Sequence, residues 1–467
     1  MIKTFLELDL KAQLNFALLS LFILIAFLFG GASRADVLSQ PVVRLAAILA
    51  IAIFAVQIDR AGWRSIRPAL LFLGAVAAII LVQLVPLPPE VWAGLPGRSL
   101  YAEALAVAGL PPVWRPLSLT PDLTVDTLLS VLPPLALILG LGVAGRKLYP
   151  LLVPIVLAAV AISAVAGVIQ VSSGLFYLYR ITNEGSLVGF FANRNHQALF
   201  FAIAFPLLAC WAGSPSGDRS YAQLRNWIAL CVGVALIPLL LVTGSRAGLM
   251  LGAIGIVAAL AITVMMRRER GLPVFGLSLR GGLLLLIPIA AGAAAVGATI
   301  YLARDEAIQR LQEGPTVELR ARNLPLIVEL TRAHLPLGTG FGSFDTVFRS
   351  HEMRENLSEF YLNHAHNDWI EILLEGGVLP VPLILVFLAW FALRAWRLWV
   401  GNRDREGRML GRAGTAIVAI VLIGSLFDYP LRTPFVAVLF AVGAVWMLGP
   451  PRRAEQPVAF EKTGLAV

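Results

Sequence analysis

Charge is what this sequence most lacks. Only 14% of its 467 residues are Asp, Glu, Lys or Arg, against roughly 25% in soluble domains, and the mean hydropathy is +0.81. A large soluble core is excluded. Apolar runs long enough to cross a bilayer make the chain a polytopic membrane protein. Cysteine is almost as scarce. Cys210 and Cys231 fall in different apolar segments, which excludes a disulfide framework and any metal-type cysteine spacing. The net charge of +9 does not point to nucleic acid, because the arginines cluster between apolar runs in the positive-inside pattern. There is no repeat of fixed period and no low-complexity segment. The first apolar run is longer than a signal-peptide core and lacks a cleavage site, so it is expected to stay as an uncleaved span.

Hydropathy predicts an all-α protein with about twelve transmembrane helices, near 12–30, 42–58, 68–85, 125–144, 150–172, 196–212, 226–242, 247–266, 281–303, 377–399, 413–427 and 434–449. Residues 1–303 are expected to form an N-terminal bundle of about nine helices with an outer loop at 86–124. Residues 304–376 form an outer loop, 377–450 the C-terminal spans, and 451–467 a cytoplasmic tail. With the N-terminus inside, the basic stretches 59–67, 146–147, 267–270, 394–412 and Arg452-Arg453 all fall in the cytoplasm. The segments 86–124, 173–195, 243–246 and 304–376 then lie outside. The last of these is expected to form several short helices against the membrane face, one of them over Val317–His334 with a kink at Pro325.

Histidine is the third scarcity, and it directs attention to one place. Of five histidines, two stand in Asn363-His364-Ala365-His366-Asn367-Asp368-Trp369-Ile370-Glu371. Asn367 or Asp368 can cap a helix here, and Asp368-x-x-Glu371 has the capping-box form. An imidazole just before a helix N-terminus is held neutral by the dipole, as a base working near pH 7 must be. Three roles stay open for His364 and His366 on these residues alone: helix capping, metal ligation with Asp368 and Glu371, or general base catalysis. Arg194 in Phe191-Ala192-Asn193-Arg194-Asn195-His196 and Arg246 in Thr243-Gly244-Ser245-Arg246 stand at outer span ends, where the positive-inside bias does not ask for them. Arginine at membrane depth marks a substrate path or snorkels to headgroups, and its fork suits phosphate oxygens. Arg320 and Arg322 are outer-side too. Gly338-Thr339-Gly340-Phe341-Gly342 reads as a glycine turn, not a dinucleotide fingerprint, because no strand precedes it. Asp345 and Asp428, the latter in Phe427-Asp428-Tyr429-Pro430-Leu431-Arg432, are outer carboxylates without an assigned role. His196 reads as a buried polar residue.

Three separated motifs, 191–196, 243–248 and Arg320 through Gly338–Gly342 to His366-Asn367 and Gly377, resemble the O-antigen ligase / O-antigen polymerase superfamily of bacterial envelope glycosyltransferases. The resemblance covers roughly 185–450, and 85–119 resembles a subset of these proteins. It implies a fold similar to C-type glycosyltransferases, with a short helical periplasmic lid, in the bacterial cytoplasmic membrane. It implies that His366, in the His-Asn-x9-Gly pattern, is the catalytic histidine, with His364 supporting it. It implies that Arg246 and Arg320 bind pyrophosphate, joined by Arg194 and Arg322, without metal or cofactor. The donor would be an undecaprenyl-pyrophosphate-linked glycan; the acceptor a glycan, a lipid A core or a protein hydroxyl. The ligase pattern continues Gly-x-x-Gly, whereas Pro380 stands at the second glycine here. A polymerase of the same superfamily and a lipid-linked glycan transporter are the rival readings.

Overall fold

The computed structural model describes residues 9–272, 315–356, 362–400 and 407–449, the side chains of 315–319 and 356 excepted. The span expected near 281–303, the start of the long outer loop and the tail 451–467 lie outside the described residues. The helices are α1 (Leu10–Phe29), α2 (Ser39–Gln57), α3 (Arg60–Val82), α4 (Pro89–Ala93), α5 (Ser99–Val107), α6 (Pro121–Leu129), α7 (Leu132–Ala144) and α8 (Tyr149–Ser173). They continue with α9 (Arg194–Ala212), α10 (Arg219–Val242), α11 (Arg246–Glu269), α12 (Pro315–His334), α13 (Phe344–His351), α14 (Asp368–Gly376), α15 (Pro380–Trp399), α16 (Arg408–Gly424) and α17 (Pro434–Met447). Nine helices among the described residues are long and apolar enough to cross a membrane, counting α6 and α7 as one. They break at Ser130-Val131, just before Pro133 and Pro134, whose missing N–H groups end the ladder. α16 and α17, read from the sequence as spans, are shorter, at 17 and 14 residues.

The stretch 59–67, expected as a basic loop, is instead the start of α3. Asp59 caps that helix by accepting from the Gly62 N–H at 2.6 Å, which lets the helix begin before the apolar run does. The central helix of the bundle is α9, buried over most of its length. It packs closely on α11, where Gly248 lies against Ala198 and Gly255 against the Ala202 carbonyl, with no room for a Cβ at either glycine. Small residues of this kind let two helix backbones approach. The consequence for function is that the N-termini of α9 and α11, carrying Arg194 and Arg246, emerge side by side.

A second layer covers that end of the bundle. It joins the segment after α3 to α12–α14 and has a hydrophobic core of its own, including Leu326, Ile327, Leu330, Phe344, Val347, Phe348 and Leu374. A two-stranded antiparallel ribbon pairs Pro86 with Pro116 and Leu87 with Arg115. Arg98, buried, donates to the Leu117 carbonyl at 2.5 Å and the Gly338 carbonyl at 3.2 Å, and Gln83 donates to the Glu375 carbonyl at 2.8 Å. The layer is therefore more than short helices lying on the bundle, because two distant stretches of chain close a common core.

Candidate active site

Six stretches of chain converge around a cavity of about 1630 Å³. Its lining includes Arg194 and Arg246 at their helix starts, Arg320 from α12, His366 just before α14, and Phe427 and Tyr429 from the corner between α16 and α17. Asn367 is the cap of α14, accepting from the Trp369 and Ile370 N–H groups at 3.1 and 3.2 Å. His366, immediately before it, has φ of 51°, a left-handed backbone uncommon outside glycine. Strained backbone of this kind persists only where its surroundings hold it, and it clusters at functional sites.

What holds it is Asp428. His366 Nδ1 donates to Asp428 Oδ1 at 2.9 Å, and the side chains are 13% and 5% exposed. The other carboxylate oxygen accepts from Asn193 Nδ2 at 2.8 Å and Asn195 Nδ2 at 2.6 Å. Burial pushes the Asp428 carboxyl up, but His366, the hydrogen bond from it, His196 and Arg320 outweigh that and hold it well below the usual carboxylate range. An ionised carboxylate fixes the proton on Nδ1 and leaves the lone pair on Nε2. Burial holds the His366 imidazole below its ordinary value; Asp428 opposes this, while Arg320 and His364 add to it. The result is a neutral, oriented base on a cavity wall. The sequence reading credited the helix dipole with this neutrality; burial is the larger cause.

His364 does something else. Its Nδ1 bonds Glu371 Oε1 at 2.8 Å, and it is not among the residues that line the cavity. Glu371 also accepts the Ala365 N–H at 2.7 Å, so the expected capping box is not formed: Glu371 braces the histidine loop instead of the helix start. Asp368, Glu371 and Glu375, on one face of α14, all turn to Arg432, with contacts of 3.4, 3.1 and 2.9 Å. His364 and His366 turn their Nδ1 atoms to different carboxylates, Glu371 and Asp428. Among the described residues no group of three His, Cys, Asp or Glu side chains is placed to share a metal ion.

The glycine turn uses every one of its own N–H groups. Gly338 donates to His334 O, Thr339 to Leu374 O, Gly340 to Glu375 O, Phe341 to Gln83 Oε1 and Gly342 to Glu375 Oε1. No donor is left over for a phosphate, so the turn's work is to dock the second layer onto α14. Arg322 is a correction. It is exposed on α12 and does not line the cavity, because the helical step from Arg320 carries it to another face. Asp345 pairs with Arg349 at 2.6 Å on the surface of α13.

The residues missed were the partners. Asp428 and Arg432 stood in a short charged stretch between apolar segments, a signal that marked them as unusual but not whom they meet. Asn193 and Asn195 were visible only as members of a motif. Arg34 and Asp36, which also line the cavity, follow directly after the first span and were not read at all.

Fold and site together define a polytopic membrane protein with an oriented histidine base beside a cationic cavity. Residues 231–388 match the family model described as O-Antigen ligase, and this match supports the O-antigen ligase superfamily. The matched stretch holds Arg246, Arg320, His364 and His366, while Arg194 and Asp428 lie outside it. Comparison with curated proteins finds no significant match.

Proposed function

We propose that this protein transfers a glycan from a polyprenyl-pyrophosphate donor to an acceptor hydroxyl on the outer face of the bacterial cytoplasmic membrane. His366 Nε2 takes the acceptor's hydroxyl proton as the oxygen bonds to the donor's anomeric carbon. The bond from that carbon to the pyrophosphate oxygen breaks, and the leaving group departs with the electron pair. Attack opposite the leaving group inverts the anomeric centre. Arg246 and Arg320, with Arg194, take up the charge that develops on the pyrophosphate, as preorganised cations do in a water-poor site. Since the donor carries its own leaving group, the reaction needs no metal or cofactor.

The observation that carries this reading is the His366–Asp428 pair at 2.9 Å on the cavity that all three arginines line. A carrier of lipid-linked glycan is the weaker reading, since its sites are usually near the bilayer midplane, whereas these residues gather at one end of the bundle. The test uses purified protein in lipid nanodiscs with lipid-linked glycan. His366→Ala should lower transfer by about 10²–10⁴-fold, the usual contribution of a general base, with donor binding retained. His364→Ala, which removes a brace, should cost less. Normal turnover in the His366 variant would overturn the reading. In cells, loss of chain length on deletion indicates a polymerase, and accumulation of free lipid-linked polymer a ligase.

A further inference from the structure

α3 leaves one face open along its whole length. Its buried residues, Gly62, Ile66 and Ile80, share one side of a helix with 3.6 residues per turn. On the opposite side Arg60, Arg64, Arg67, Leu71, Ala78 and Val82 fall on a single stripe, and all six are exposed. Gly74 belongs to the same stripe, and a Cβ placed there would meet nothing within 4 Å. The stripe is divided along the helix. Its first two turns carry arginine and the remainder is apolar. This is how a span presents itself to lipid, with cations at headgroup level and apolar side chains against the acyl chains.

Three further observations point to a ligand on this face. Arg60, Trp63 and Arg64, with Ile58 and Asp59, line a cavity of about 410 Å³. Trp63 is 49% exposed beside the arginines, and indole favours the boundary between headgroups and acyl chains. Asp59 is the one carboxylate in 58–67 and caps the helix through the Gly62 N–H, so three guanidinium groups face it and leave the stretch net positive. Arg270 and Arg394, at the same end of the bundle, donate to the Gly213 and Met447 carbonyls. Arg60, Arg64 and Arg67 make no hydrogen bond or ion pair among the described residues. Side chains on a helix lean toward its N-terminus, so Arg64 and Arg67 reach back along α3 toward Arg60. The three span about 10 Å of helix axis, which their stems can shorten by snorkelling.

We propose that this face of α3 binds an anionic phospholipid of the adjoining leaflet, its headgroup phosphate held by Arg60, Arg64 and Arg67 and its acyl chains lying along Leu71 to Val82. The guanidinium fork matches phosphate oxygens, and basic clusters at span ends hold anionic headgroups. The opposite end of α3 meets the second layer, where Gln83 donates to the Glu375 carbonyl. The lipid site is thus a helix length from the histidine cavity and does not depend on glycan transfer.

Native mass spectrometry of the full chain, released from detergent micelles, reads lipid binding directly. Dioleoyl phosphatidylglycerol should bind about tenfold more tightly than dioleoyl phosphatidylcholine, or more, given the contribution of each arginine near a headgroup. In Arg60→Gln/Arg64→Gln/Arg67→Gln the two lipids should bind within about twofold of each other. Arg64→Gln alone, a single exposed change that spares the fold, should lower the preference about two- to fivefold. Arg219→Gln/Arg268→Gln/Arg397→Gln removes the same charge from exposed positions on α10, α11 and α15 at the same end and should keep the preference. Equal loss in the two triple variants would overturn the site, by assigning lipid binding to the general charge of this end. Equal binding of the two lipids by the native protein would overturn it as well. So would displacement of phosphatidylglycerol by an equimolar amount of glycerol 1-phosphate, which would assign the arginines to free phosphate.

Discussion

At the end of the bundle where α9, α11, α15 and α17 finish, several arginines donate to the protein's own backbone. Arg270 donates to the Gly213 carbonyl at 2.6 Å, Arg394 Nε to Met447 O at 2.8 Å, Arg146 to Leu448 O at 2.6 Å and Arg412 Nε to Leu398 O at 2.9 Å. Arg408 and Arg412 also share Glu269, at 3.1 and 2.7 Å. These are the last carbonyls of helices, which cations satisfy well. At the other end the same residue type faces a cavity. Arg320 makes one long contact, 3.4 Å from the Phe427 carbonyl, and its Nε is buried without a protein partner. Both ends are cationic, and Arg60 and Arg64 line a smaller cavity of about 410 Å³ at the first, but the cavity of about 1630 Å³ lies at the end that carries Arg194, Arg246 and Arg320. Arginine count alone therefore says little, and what each guanidinium donates to separates a helix finish from a binding group.

The sharpest way to test the site end is through Asp428. Asp428→Asn keeps the size of the side chain but removes the charge that orients His366, and should lower transfer by about 10²-fold or more, within the range of a lost base. A structural defect alone could do the same, so the pH profile decides. The native acid limb should lie below pH 6.5, because burial lowers His366. Asp428 opposes that lowering, so its replacement should move the limb to still lower pH. A limb that stays in place, or rises, would mean that the pair does not set the base.

Arg320→Lys against Arg394→Lys breaks the comparison directly. Lysine keeps the charge and loses the fork. At the cavity this should cost about tenfold or more in transfer, roughly one lost charge-assisted contact. Among the described residues Arg394 donates to the Met447 carbonyl alone, so its replacement should leave transfer within about twofold and appear as a small drop in melting temperature. Equal loss of transfer in the two variants would remove the distinction between the ends.

Much of this was legible in the chain because membrane helices obey few rules. Apolar length gave most of the helices, and the rarity of ionisable residues drew attention to His364, His366, Arg194 and Arg246, while the choice of His366 over His364 and the pairing of Arg246 with Arg320 came from the family resemblance. Partners were not legible, for a physical reason. Asp428 lies 62 residues from His366 and Arg432 lies 57 from Glu375, and such pairings depend on how α16 and α17 turn back under α14. Local capping rules misassigned Glu371 because His364, the Ala365 N–H and Arg432 offered it partners other than the helix start. Arg322 lies off the cavity because, two residues on from Arg320 in the helix, it faces another way.

The smallest expected effect concerns the carboxylates of α14. One guanidinium, Arg432, faces Asp368, Glu371 and Glu375 in a buried site, so not all three gain from ionising. Glu371 has His364 and the Ala365 N–H besides Arg432, and although burial pushes it up, Arg432 and His364 hold its carboxyl below its ordinary value. Asp368 has the longest contact to Arg432, and burial pushes it up to about 7. Burial pushes the Glu375 carboxyl up as well, so Asp368 and Glu375 are the two carboxylates of the cluster drawn toward the protonated form. A raised carboxyl stabilises the fold fully below its unfolded value near 3.8 and loses that contribution as pH rises through about 7. A lowered one contributes above its unfolded value and loses that as pH falls. Asp368→Asn mimics the protonated form and keeps an amide beside Ser425 Oγ, which donates to Asp368 Oδ2 at 3.0 Å. Its cost should be below about 1 kcal/mol, and its melting temperature relative to native should rise from pH 4 to pH 8. Glu371→Gln should be more damaging at neutral pH, with the deficit shrinking on acidification. Two substitutions three residues apart should thus give opposite pH slopes in one thermal-shift series. Parallel slopes would show that the proton is not held on Asp368.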